Sequence, residues 1–128
     1  MEWLPSREIH GDFTMHTASR AMDDLLARPN RPTAIFCEND EMAIGAMQCL
    51  KQAGLKIPED ISVAGFDDIN FAEYSDPPLS TIAQPAEEFG RTAVSLLIDV
   101  LQGRVTKAAK VILPFDLVIR KSTGPAAI

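Results

Sequence analysis

The stretch Ile61-Ser62-Val63-Ala64-Gly65-Phe66-Asp67-Asp68 decides the fold of this chain. Its first six residues are apolar or small, it follows Pro58-Glu59-Asp60, and it ends in two carboxylates. A short run of this kind bounded by turn residues is the pattern of a strand buried on both faces, as found in the middle of parallel sheets. Ligands of open parallel sheets are met beyond the carboxyl ends of the strands, so Asp67 is expected where a ligand arrives.

Working outward, the neighbouring segments repeat the theme. Residues 7–13 read as a short strand running into a turn. Ala18, Met22, Leu25 and Leu26 mark one face of a helix from Thr14 to Arg28, which Pro29 ends. Thr33 to Cys37 reads as a second short buried strand. Met42, Ala43, Ala46, Met47 and Leu50 then line another helix, with Asn39 or Asp40 as its N-cap and Gly54 as its stop. Strand–helix–strand–helix–strand argues for an α/β fold, a parallel sheet flanked by helices.

After Asp68 the spacing predicts a helical turn or loop over 69–76, extended backbone at Pro77-Pro78, and a brief strand at Leu79–Ile82. Pro85 opens a further helix whose apolar face is Phe89, Ala93, Leu96, Leu97, Val100 and Leu101, and Gly103 ends it. Lys110–Leu113 and Phe115–Ile119 read as extended, and the tail Ser122–Ile128 is expected to fray.

Composition narrows the function. With 46% hydrophobic residues the 128-residue chain has material for one core, so it is not a disordered segment. Its net charge of −6, with the basic residues scattered, repels phosphate, which makes the segment a poor nucleic-acid binder by itself and argues against an anionic membrane surface. No apolar run approaches the roughly 18–20 residues of a membrane helix. Cys37 and Cys49 lack the CxxC spacing, and as reduced core residues they fit a cytoplasmic protein. His10 and His16 have no metal-ligand spacing, so no metal and no cofactor is expected. Phosphate-loop, dinucleotide and nucleophile-elbow motifs are all missing, and no nucleophile–base set supports an enzyme.

Three predicted strand ends bring Asp12, Phe13 and Thr14, then Glu38, Asn39 and Asp40, then Asp67 and Asp68 to one edge. Carboxylates accept from hydroxyls, an amide both donates and accepts, and an aromatic face stacks on a sugar or base. That rim suits a small polyhydroxylated solute. Each residue also has a plainer role: Asp40 as a cap, Phe13 as a core aromatic, Asp67-Asp68 as a solvated turn.

The run Asn39-Asp40-Glu41-Met42-Ala43-Ile44-Gly45, the stretch Gly54–Asp68, Pro77–Pro85, Gly90 and Ile119–Thr123 together resemble the lactose/purine repressor family in one register over nearly the whole chain. Gly11–Thr14 and Asp76–Pro85 are most like its cytidine repressor branch. The resemblance implies the C-terminal part of a type I periplasmic-binding-protein-like fold of two subdomains with an effector cleft between them. Residues 1–123 would form a partial effector-binding domain, with 79–104 crossing to the other subdomain and 124–128 a tail. The family's DNA-binding headpiece has no counterpart in this chain.

By position the resemblance makes Phe13 the residue that stacks on the effector, Asn39 an amide contact, and Asp67 the carboxylate that holds a hydroxyl or base. Thr14 adjoins them. Ile44, Met47 and Tyr74 fall where family dimers meet, so a homodimer or higher oligomer is expected. The implied function is effector sensing by a transcriptional repressor: a nucleoside or sugar binds, and operator DNA is met only through the headpiece. A transport receptor of the same fold shares this edge chemistry. A phosphorylated receiver domain shares the fold class, but here the acidic pair stands at the third predicted strand rather than the first.

Overall fold

In the computed structural model, which describes residues 7–104 and 110–126, the first regular element is α1, Met15–Leu26. Thr14 caps it from an extended conformation, its hydroxyl accepting from the Thr17 N–H. Ala18, Met22 and Leu25 form the buried stripe. The expected strand over 7–13 does not form: no strand lies there, and Phe13 adopts φ 65, the left-handed region, which breaks an extended run. The segment is a loop instead.

Four strands make one sheet in the order β1-β2-β3-β4: Ala34–Phe36, Ser62–Asp67, Ser80–Ala83 and Asp116–Val118. The first three run parallel, with Phe36 opposite Ala64 and Asp67 opposite Ala83, and β4 closes antiparallel on β3. β2 is central, as its apolar run requires. β1 is an edge strand with Phe36 58% exposed, so of the expected buried run Thr33–Cys37 only Cys37 is buried and Ile35 half-buried.

Between the strands run α2 (Asp40–Gln52) and the short α3 (Asn70–Tyr74), and α4 (Ala86–Leu101) follows β3. Asn39 is the N-cap of α2, and Gly54 follows its end at φ 80, a conformation that glycine adopts without strain. The core gathers Met22 and Leu25 of α1, Ala43, Met47 and Leu50 of α2, and Val63, Ala72 and Leu79. Helices α1 and α2 approach closely at Gly45, where an added Cβ would lie 2.5 Å from the Met15 carbonyl oxygen. None of the residues of α4 is buried, and Phe89, Val94, Leu97, Ile98 and Leu101 face solvent.

The tail does not fray where expected. Ser122 is fully buried and stitches β2 to β3. Its carbonyl accepts from the Val63 N–H (2.8 Å), its hydroxyl donates to the Val63 carbonyl (2.6 Å), and the Ser122 hydroxyl oxygen accepts from the Ser80 N–H (2.7 Å). Small polar residues that suggest a loose end are here the ones that fit between two strands. Residues 127–128 lie outside the described residues.

Two glycine substitutions separate packing from helix propensity. Gly45→Ala is expected to destabilise the fold by about 1–3 kcal/mol because α1 must move away. Gly90→Ala in α4 meets no atom within 4 Å and should stabilise by roughly 0.5–1 kcal/mol. Urea unfolding of both variants checks the opposite signs.

Candidate functional site

At the carboxyl edge of the sheet the chain leaves β2 through two consecutive residues with positive φ, Asp67 at 108 and Asp68 at 56. Non-glycine residues hold such angles at a cost of about 1–3 kcal/mol each, and they persist only where the surroundings over-determine them. The surroundings here are specific. Gln84, one residue past the end of β3, donates from Nε2 to Asp67 Oδ1. Asp68 faces Arg120 at 2.8 Å in an ion pair, and the same guanidinium nitrogen donates to the Leu79 carbonyl. The pair is Coulombic more than directional, since Asp68 Oδ1 has no well-directed donor among the described residues.

Asp40 holds the turn from beneath. Its side chain is fully buried, at 0% exposure, and accepts from the Ile69 N–H (2.9 Å) and the Thr81 hydroxyl (2.5 Å). One carboxylate thus joins the start of α2, the β2–α3 turn and β3. Asp40 is neither the cap of α2 nor open to a ligand. Gly65 leaves the room it needs, because a Cβ there would fall onto Asp40 Oδ1. Burial raises the Asp40 pKa above its ordinary 3.8, the Thr81 and Ile69 bonds oppose the rise, and the nearby Asp67 and Asp68 charges add to it. Burial, with the Asp40 charge beside it, also pushes the Cys37 thiol up to about 12, so this free cysteine stays protonated and inert.

Asn39 and Phe13 meet at the same edge. Asn39 lies three residues past Phe36 and Asp67 three past Ala64, the residue paired with Phe36, so both project from one end of the sheet. Asn39 Oδ1 accepts from the Met42 N–H (2.8 Å), and Nδ2 donates to the Phe13 carbonyl (3.0 Å). Phe13 is 57% exposed, so its ring is no part of the core. Thr14, expected beside the ligand, uses its hydroxyl hydrogen on Asp12 (2.6 Å) while capping α1. The Thr14 and Thr17 hydroxyls lower the Asp12 pKa.

Four expected positions thus gather at one rim, but with different freedom: Phe13 and Asp67 are exposed, while Asn39 and Thr14 are engaged locally. Gln84 and Arg120 belong to the rim and carry no local sequence signal. The register that sets Ala83 opposite Asp67 is what brings Gln84 there. Among the described residues no group of His, Cys, Asp and Glu is placed to hold a metal.

The expected interface residues also separate. Tyr74 is 76% exposed on α3 and Ile44 is half-buried. Met47 is 2% exposed within the core cluster, so the helix turns it inward and it has no surface to offer a partner.

This rim and the sheet beneath it match a known domain. Residues 4–123 fit the description "Periplasmic binding protein-like domain". The chain belongs to that family. It is 47% identical over 119 residues to the HTH-type transcriptional repressor CytR of Escherichia coli (strain K12), covering 93% of this chain and 35% of that protein. Among solved structures it is similar to a transcriptional regulator CelR–cellobiose complex, with TM-score 0.89 and 35% identity over 95% of this chain and 37% of that one. It is also similar to the lac repressor dimer bound to operator and the anti-inducer ONPF, with TM-score 0.82 and 37% identity over 88% and 39%. The chain spans about a third of the length of the curated relatives it matches. No helix among the described residues is long and apolar enough to cross a membrane.

Two substitutions test the Asp40 hub. Asp40→Ala leaves the Ile69 N–H and the Thr81 hydroxyl without their acceptor and should cost about 1–3 kcal/mol. Asp40→Asn keeps the shape without the charge. Because the folded-state pKa is raised, the benefit of the neutral acid is complete below 3.8 and disappears as pH rises through the folded value. The stability difference between Asp40→Asn and wild type should therefore move in the variant's favour from pH 4 to pH 7. A difference that does not change with pH, measured by urea unfolding, would contradict a raised pKa.

Proposed function

We propose that this chain is the effector-sensing part of a transcriptional repressor, taking a small sugar or nucleoside at the rim formed by Phe13, Asp67 and Gln84. The observation that carries this reading is the placement of an exposed aromatic ring and a strained, exposed carboxylate at one end of a parallel sheet. The ring supplies a face for a base or sugar, and Asp67 accepts from hydroxyl or amino groups. The relatives named repressors, and the similar regulator solved with cellobiose, support the same assignment.

In this reading the bound solute favours one arrangement of two subdomains and so alters the grip of the whole regulator on its operator. DNA contact belongs to segments outside these 128 residues, since a net charge of −6 offers phosphate little attraction. The regulator works in the cytoplasm, where its DNA is. The chain performs no catalytic step.

Homodimers would form through the exposed Tyr74 and the half-buried Ile44, without Met47. The bare apolar side of α4 would meet the other subdomain in the whole regulator, and in the isolated chain it would self-associate. Sedimentation should show a mass that rises with concentration, and Leu97→Glu with Leu101→Glu should lower it. A monomer mass at every concentration would count against this part of the proposal.

The direct test titrates the full-length regulator with cytidine, ribose and cellobiose while following operator binding. At least one should change it. Phe13→Ala and Asp67→Ala should each weaken that response about tenfold or more, about 1.4 kcal/mol, with little change in urea midpoint. If no nucleoside or sugar has any effect, the proposal fails.

A further inference from the structure

We infer that Asn39 is a positioning residue, a clamp that sets where the Phe13 ring stands and acts on the bound solute through that ring. This rests on the proposed site and deepens it. The orientation of the Asn39 amide is unambiguous from its partners. The Met42 N–H can only donate and the Phe13 carbonyl can only accept, so Oδ1 must face the first and Nδ2 the second. One Nδ2 hydrogen and one Oδ1 lone pair therefore act within the protein.

Phe13 needs such a clamp. Its φ of 65 lies in the left-handed region, which a bulky residue adopts only when held there. Core packing does not hold it, since the ring is mostly exposed. Backbone ties do. On one side the Asp12 N–H donates to the Thr17 hydroxyl (3.2 Å), and the Thr14 N–H donates to Asp12 Oδ1 (3.1 Å). These ties order the residues flanking Phe13 relative to α1 alone. The Asn39 bond to the Phe13 carbonyl is the long-range one, 26 positions apart in sequence, and it refers the loop to the sheet edge. Asn39 is itself fixed by capping α2, whose next residue, Asp40, holds the turn that carries Asp67. The ring and the carboxylate thus share one frame of reference, and Asn39 is the joint between them.

The test uses substitutions that keep the cap and remove the donor. Asn39→Ser and Asn39→Asp retain an oxygen for the Met42 N–H but have no N–H for the Phe13 carbonyl. In the full-length regulator, affinity for whichever of cytidine, ribose and cellobiose the wild type binds should fall about tenfold, with the urea midpoint nearly unchanged. A purely structural cap predicts no loss of affinity. The double variant separates clamp from contact: once Phe13→Ala has removed the ring, adding Asn39→Ser should change affinity little. Two full losses that add would make Asn39 a direct contact and overturn the inference.

An effector-independent measurement stands beside these. In the free chain, nuclear Overhauser contacts should link the Asn39 side-chain amide protons to the Phe13 α-proton and vanish in Asn39→Ser. Their absence from the wild type overturns the clamp outright. If none of the three probes binds wild type while those contacts are present, the site proposal falls and the clamp stands.

Discussion

A single buried carboxylate organises this molecule's working edge. Asp40 takes hydrogen bonds from a turn and from a neighbouring strand while belonging to a helix, so three elements converge on two oxygen atoms. Burying that group carries a desolvation penalty, seen in its raised pKa, and the two donors offset part of it. The benefit is geometric. The bond to the Ile69 N–H directly follows Asp67 and Asp68 and helps hold their backbone in its unusual conformation. The missing side chain at Gly65 and the hydroxyl of Thr81 follow from the same requirement. One needs to be small and the other needs to donate.

The edge above Asp40 divides its labour. Asp67 is reached by Gln84, Asp68 by Arg120, and the loop at Phe13 by Asn39. Those three partners come from the segment after β3, the segment after β4 and the cap of α2. A rim assembled from such distant parts of the chain is rigid only if the sheet is correctly paired. Sheet register is therefore a functional variable here as well as a structural one.

Much of the fold could be read before any coordinates, because its boundaries are set locally. Asn39 starts a helix through its own side chain, and Gly54 and Gly103 end helices by adopting positive φ. The apolar run ending in Asp67 could be placed centrally because a parallel strand covered on both faces has few alternatives. What misled were segments whose pattern is local but whose fate is not. Residues 7–13 have a strand-like alternation, yet Phe13 turns left-handed and Asn39 secures it as a loop. Met47 sits one turn from Ile44, yet the helix buries Met47 wholly in the core and leaves Ile44 partly open at its margin. Gln84 carries no mark of its role, since its importance comes from the residue across the ladder. Phe13 and Asp67 were legible as candidates through edge chemistry and family likeness together; neither line sufficed alone.

The placement of Ser122 has a consequence for biogenesis. This serine supplies bonds to Val63 and Ser80, both made far earlier in the chain. As the polypeptide emerges from the ribosome, the two central strands can pair, but their bonds to Ser122 must wait until some forty further residues have been translated after Ser80. The last stitch of this unit is consequently placed from its far end, and premature termination upstream of Ser122 would release a product lacking the bridge from Ser122 to Val63 and Ser80.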